Sequence, residues 1–170
     1  MENRKYEITG ETRIFLGKTL YRIKALINFG SVSAGDLGGW IENEKNLSQD
    51  DNAWVSGNAL VYGDAEVFGN ARVYDNVEVY GNALVYDNAD VYGNTRVYGN
   101  ADIMWISKIG SRNDTITFMK SKDKIIVTVG CFTGNIDEFE EKVKQTHGGN
   151  EHAQAYFLAV QLAKLRICID

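Results

Sequence analysis

The chain of 170 residues has no proline, two cysteines, two histidines and no long hydrophobic run. Without proline there is no proline-rich linker or proline-rich ligand motif. Cys131 and Cys168 make no metal-type spacing, and two cysteines behind no apolar signal core read as reduced thiols rather than a disulfide. The first nine residues are charged, so no signal peptide is expected. No run of about 18 apolar residues offers a membrane helix. A cytoplasmic location is the expectation.

Basic excess is also missing. Lys plus Arg number 18 against 23 Asp plus Glu, a formal charge of −5. The acidity is uneven: residues 55–108 hold seven acids and three bases, while residues 109–170 balance. No basic stripe emerges, which argues against direct nucleic-acid binding or an anionic membrane partner. Apolar residues make up 44%, ample for a core at this length.

What is abundant is glycine, 17, and tyrosine, nine. Both follow a repeat. From Val55 the chain reads VSGNAL, VYGDAE, VFGNAR, VYDNVE, VYGNAL, VYDNAD, VYGNTR, VYGNAD, IMWISK. Val or Ile recurs every six residues from Val55 to Ile109, and a small residue or Val follows four later. Alternation puts Ala59 and Val61 on one side of a strand, with Leu60 and Tyr62 on the other. Gly63-Asp64 then turns a corner, using residues that tolerate left-handed backbone. Six residues leave no room for a hairpin. They suit one side of a prism, three sides making an 18-residue coil, with coils stacked about 4.8 Å apart.

This pattern of an aliphatic residue, two turn positions and a small residue resembles the hexapeptide signature of the left-handed parallel β-helix superfamily. The resemblance covers about a third of the chain. It implies a left-handed parallel β-helix of about three 18-residue coils; with the terminal segments read below, the expected fold is mainly β, with an N-terminal β-hairpin cap and a C-terminal β-hairpin plus two helices. The expected organisation is residues 1–54 as β cap and irregular first coil, 55–109 as β-helix and 110–170 as a ββαα module. Many members of that superfamily are acyltransferases and some are carbonic anhydrases. Others bind or support without catalysis.

Stacking at 18 residues builds outward columns: Tyr62, Tyr80, Tyr98; Phe68, Tyr86, Met104; Ser56, Tyr74, Tyr92; Trp54, Arg72, Asp90, Lys108; and Leu60, Glu78, Arg96. Asn52, Asn70, Asn88 and Asn58, Asn76, Asn94 stack at corners. Tyrosine is a good strand residue that stacks on its own kind. It is also enriched at interfaces. Tyr62, Tyr80, Tyr98, Tyr74, Tyr92, Phe68 and Tyr86 are therefore the candidate partner-binding residues, and terminal structure, another subunit or a ligand is expected to cover at least one column.

At the N-terminus, Thr12–Leu16 and Thr19–Ile27 around Gly17-Lys18 read as a hairpin. Trp40 is expected to plug the open end of the prism. At the C-terminus, Thr115–Met119 and Lys124–Val129 form a hairpin around Lys122-Asp123. Asn135 with Glu138 caps a helix ended by Gly148, and Asn150 caps a second through about Ile167. That last helix is apolar on most sides and is expected to bury more than one face.

The catalytic residues of the superfamily's enzymes are missing. Its acyltransferases commonly use a β-helix histidine as general base, and its carbonic anhydrases need three histidine ligands. The repeat has none, and no long loop interrupts it. His147 and His152 lie five apart near the helix junction and suit surface or capping roles. Cys131 reads as a buried structural thiol. Gly38-Gly39 is no phosphate loop. No catalytic, cofactor or metal residue is assigned.

The segments Gly35-Asp-Leu-Gly-Gly-Trp-Ile, Asn46-Leu-Ser and Gly130-Cys-Phe-Thr-Gly resemble small phage and prophage proteins of gut bacteria. That implies a phage context and transfers no catalytic residue. The expected function is a non-catalytic protein-binding module, in its finer form a phage inhibitor of a host enzyme or defence complex of the anti-CRISPR kind. The alternative is an acyltransferase-like enzyme using acetyl-coenzyme A with a noncanonical base. A carbohydrate binder using a tyrosine column is a third reading. A homo-oligomer, dimer or trimer, is expected.

Overall fold

The computed structural model describes residues 4–99, 102–121, 124–167 and 169. Asn100, Ala101, Lys122 and Asp123, where a turn is expected, and Cys168 lie outside the described residues. The chain divides into two compact units, residues 1–99 and 100–170.

The first unit carries a left-handed parallel β-helix of about three turns. Within the repeat its faces are built from two-residue strands, because each six-residue side spends the rest of its length on the corner. One face holds β4 (Trp54–Val55), β7 (Arg72–Val73) and β10 (Asp90–Val91). A second holds β3 (Leu37–Ile41), β5 (Leu60–Val61), β8 (Glu78–Val79) and β11 (Arg96–Val97). The third pairs β6 (Glu66–Val67) with β9 (Leu84–Val85), with Leu47 bridged to Val67 below. The inward residues Ala59, Val61, Ala65, Val67, Ala71, Val73, Val77, Val79, Ala83 and Val85 are completely buried. Each corner opens on a residue of positive φ: Gly57, Gly63, Gly69, Asp75, Gly81, Asp87 and Gly93. The repeat uses Gly or Asp there because few other residues adopt that conformation cheaply.

The coil below the repeat is longer. Val55 faces Val73, eighteen residues on, but Ile41 faces Val61 and Leu47 faces Val67, twenty on. Two extra residues swell the Ser48–Ala53 corner. The N-terminal strand closes it: Lys5 Nζ donates to the carbonyls of Asp50 and Ala53, at 3.0 and 2.9 Å, and Gln49 Oε1 accepts from the Lys5 amide. Tyr6 donates its hydroxyl to the Leu47 carbonyl at 2.7 Å. Gly38 and Gly39 fit because a Cβ would meet Ile23 Cγ1 at 2.4 Å and the Ala59 carbonyl at 2.7 Å.

β1 (Tyr6–Phe15) and β2 (Lys18–Ala25) form the expected hairpin, with Gly17 at φ 78°. β1 also takes in the residues from Tyr6 to Glu11, before the expected start at Thr12. β2 pairs with β3, so the hairpin extends a β-helix face. Trp40 does not plug the prism. It pairs with Leu60 on the outside, beneath Leu20, with Arg22 over its ring. Ile41 takes the inward position, since alternation puts neighbours on opposite sides.

The second unit is an antiparallel sheet with two helices. Its strands, in order, are β12 (Ile103–Ile109), β13 (Asp114–Ser121), β14 (Lys124–Val129) and β15 (Phe132–Asn135). The expected hairpin is β13–β14. β12 is a correction: Ile103–Ile109 keeps the repeat's aliphatic spacing, yet it pairs antiparallel with β13, Met104 facing Phe118. Met104 and Lys108 therefore extend no coil column. A run such as Ile-Met-Trp-Ile lacks the Gly, Asn or Asp that a corner requires, so the chain runs on as one longer strand, its register shifting between Ile106 and Ile109.

α1 (Ile136–His147) begins with a capping box of Asn135 and Glu138. α2 (Glu151–Arg166) is capped by Asn150. Phe139, Val143, Tyr156, Val160 and Ala163 pack with Ile116, Phe118 and Val127. α2 buries one side only; Leu158, Leu162 and Leu165 on the other are 66%, 45% and 80% exposed. Among the described residues no helix is long and apolar enough to cross a membrane.

Lys5 yields a pH prediction. Burial pulls its pKa down to about 8, although Asp51 and Asp50 pull the other way. An unfolded lysine titrates near about 10.4. Between these values the unfolded chain holds a proton that the folded chain has shed, so stability rises with pH. Burial raises the pKa of Tyr6 and Tyr62 instead, so their contribution is lost above about pH 10, where unfolded tyrosines ionise first. Urea denaturation from pH 7.5 to 10 is expected to show stability rising by on the order of 2 kcal/mol, with the slope flattened in Lys5→Met.

Candidate functional site

The candidate residues follow from the coil period. On the β4–β7–β10 face, each strand pairs eighteen residues on, so outward side chains stack in rows. Tyr74 and Tyr92 lie parallel, ring centroids 4.9 Å apart and planes 13° off. Beside them Arg72 grips Asp90 with both Nε, at 2.7 Å, and a terminal nitrogen. The hydrogen bonds that Arg72 donates to Asp90 hold its proton more firmly than usual. At the corner, Asn52 donates to Asn70 at 2.9 Å and Asn70 to Asn88 at 3.1 Å.

A cleft of about 550 Å³ opens on this face, lined by Gly30, Ser31, Val32, Asn52, Trp54, Ser56, Asn70, Arg72 and Tyr74. Its outer wall is the turn after β2, where the backbones of Phe29 and Val32 bond each other. Phe29 is anchored edge-on against buried Trp54, centroids 5.4 Å apart, and Lys5 Nζ lies 5.2 Å from the Phe29 ring. Asn28 accepts from the Ala34 amide at 2.8 Å. The wall is thus fixed from several sides. Burial pushes the Tyr74 hydroxyl up to about 12, and Asp90 adds to the effect, so Tyr74 stays a neutral donor at any physiological pH.

The other aromatic columns are placed differently. Tyr62 stacks on Tyr80 at 5.1 Å, but the hairpin lays Phe15 edge-on against it, leaving Tyr62 4% exposed. It contributes no open surface. Tyr80 is half-buried, and Tyr98, tilted 59° from it, is 61% exposed. Phe68 and Tyr86 stack at 5.0 Å on the third face. The structure therefore brings Tyr74 to a cleft, with Tyr92 stacked behind it, and leaves Tyr98 and Tyr86 on open surface. The turn that walls the cleft was not legible in the sequence; Phe29, the one large ring in a Gly- and Ser-rich stretch, is the only signal there.

The second unit holds a smaller cavity, about 200 Å³, whose lining includes Arg112, Asp114, Cys131, His147 and Tyr156. Cys131 is exposed, not the buried thiol expected, because it sits in the turn between β14 and β15. The His147 ring lies 5.9 Å from both His152 and Tyr156. Burial and Asp114 raise the Tyr156 pKa. Tyr156 reaches this position because Gly110 has no side chain: a Cβ there would lie 1.9 Å from its hydroxyl. Among the described residues no three His, Cys, Asp or Glu side chains gather to hold a metal.

No protein-family model matches the chain. A curated relative is the uncharacterised acetyltransferase YdcK of Escherichia coli (strain K12), 36% identical over 73 residues. The match takes in 38% of this chain and 22% of that protein, so the chain spans about a fifth of the relative's length. Similarity and architecture together fit a hexapeptide-repeat β-helix.

The amide ladder beside the cleft gives a stability test. Asn70→Ala removes the middle rung and strands the donor of Asn52 and the acceptor of Asn88. Urea denaturation is expected to show a loss of about 1 kcal/mol, with Asn94→Ala, at the end of the other ladder, losing less.

Proposed function

We propose that the protein is a non-catalytic binding module whose β-helix presents the β4–β7–β10 face to a protein partner. The preformed cleft beside Tyr74 carries this reading. A concave site with an aromatic wall, amide and hydroxyl groups and no acid–base pair is suited to recognition rather than proton transfer. The finer proposal, a phage inhibitor of a host enzyme or defence complex, draws on the resemblance of the terminal segments. The net −4 of residues 55–108 also suits a basic groove on such a partner.

A homo-oligomer is proposed on separate grounds. Leu158, Leu162 and Leu165 make a four-then-three seam along α2. Together they bare on the order of 300 Å² of apolar surface, near the size of the largest patch on a typical monomer. A second copy of α2, antiparallel so that the two Arg166 side chains stay apart, is the occupant that fits this spacing.

Acyl transfer is the second reading, favoured by what the E. coli relative is called. Its base would come from outside the repeat, and His147 in the cavity with Cys131 is the available group. Acetyl-coenzyme A bound at millimolar concentration would favour it.

Affinity capture from a bacterial host lysate decides between the readings. The expected outcome is a stoichiometric protein retained by the wild type and by Tyr98→Asp but lost by Tyr74→Asp. No partner, or one indifferent to Tyr74→Asp, would contradict the proposed face.

A further inference from the structure

The cleft has a definite shape because one aromatic column is a ring short. Pairing of Val55 with Val73, and the Ser56 amide bonded to the Val73 carbonyl at 2.8 Å, set Ser56 directly beside Tyr74. Tyr74 stands in the same way beside Tyr92. The column is thus Ser56, Tyr74, Tyr92. Tyr92 covers one face of the Tyr74 ring. Among the described residues no ring covers the other. In the Tyr62 column, by contrast, Phe15 lies edge-on against Tyr62, ring centroids 5.8 Å apart. A missing rung leaves a gap of one strand spacing, about 4.8 Å, against the open face of Tyr74. Gly30, Ser31 and Val32 line the same cleft.

We infer that this slot receives an aromatic side chain, from a basic segment of a protein partner, which completes the stack on Tyr74. This rests on the binding-module reading and names the feature it recognises. The gap has the thickness of one ring, and stacked rings gain by offset parallel contact. The cleft's volume lies within the range of sites that hold a group of this size. Ser31, Ser56 and the amides of Asn52 and Asn70 can bond a phenol, an indole N–H or the adjoining peptide. Charge selects the flanks. Asp90 neutralises Arg72, while Asp50, Asp51 and Asp75 are exposed next to lining residues. An anionic ligand such as a nucleotide would meet net negative charge; lysine or arginine beside the anchor would not.

Tryptamine and indole-3-acetate share a ring and differ in charge, so together they test both parts. The readout is the chemical shift of the Tyr74 ring protons and of the Ser56 amide in the full chain, the amide alone serving in Tyr74→Leu, with adenosine 5′-monophosphate as third probe. Tryptamine is expected to saturate in the millimolar range and move Tyr74 upfield, with indole-3-acetate about fivefold weaker. Tyr74→Leu should abolish binding. Ser31→Arg, on an exposed turn, should weaken tryptamine and strengthen indole-3-acetate, and it decides the matter if Tyr74→Leu fails to fold. No saturable shift, equal affinity for the two indoles, or tighter binding of the nucleotide would each overturn the inference. Capture lost in Tyr74→Asp alongside silent indoles would leave the binding face standing and remove only the aromatic anchor.

Discussion

Parallel backbone pairing at a spacing of eighteen residues is the constraint on which the first unit depends. Val55 on Val73, Val61 on Val79 and Val67 on Val85 fix the register. Once it is fixed, every outward side chain has a like-numbered neighbour one strand away. The tyrosine stacks, the two asparagine ladders and the Arg72–Asp90 pair are consequences of that register rather than independent devices. A slip by one residue would turn the valines outward and dissolve all of them together.

The same constraint explains which parts of the fold were legible. Wherever the six-residue spacing held and a corner residue was available, inward and outward positions could be assigned from Val55 to Val97. The capped helices were legible because Asn135, Glu138 and Asn150 are local signals. What failed was long-range. Ile103–Ile109 kept the aliphatic spacing but lost the corner residues, and it joined an antiparallel sheet. Trp40 has the bulk of a plug, yet its pairing with Leu60 turned it outward. The swollen corner at Ser48–Ala53 depends on Lys5, more than forty residues earlier, and no local pattern announces such a contact.

The candidate site shows the same division. Tyr74 and Tyr92 were named by periodicity. Their distinction from Tyr62 was not, because the hairpin that covers Tyr62 and the turn that walls Tyr74 come from outside the repeat. The repeat supplies a rigid ladder, and the segment before it decides where the ladder is covered, extended or left open. The ladder departs from regularity beside the cleft, at Ser56, the one small residue in an aromatic column.

The most direct test is a crystal structure of the Ser56→Tyr variant, with its thermal melting beside the wild type. If the cleft is the empty place of a ring, the introduced side chain lies parallel to Tyr74 at about 5 Å, the Gly30–Val32 turn keeps its position and melting is not lowered. A ring turned out to solvent, a displaced turn or a destabilised protein would contradict it.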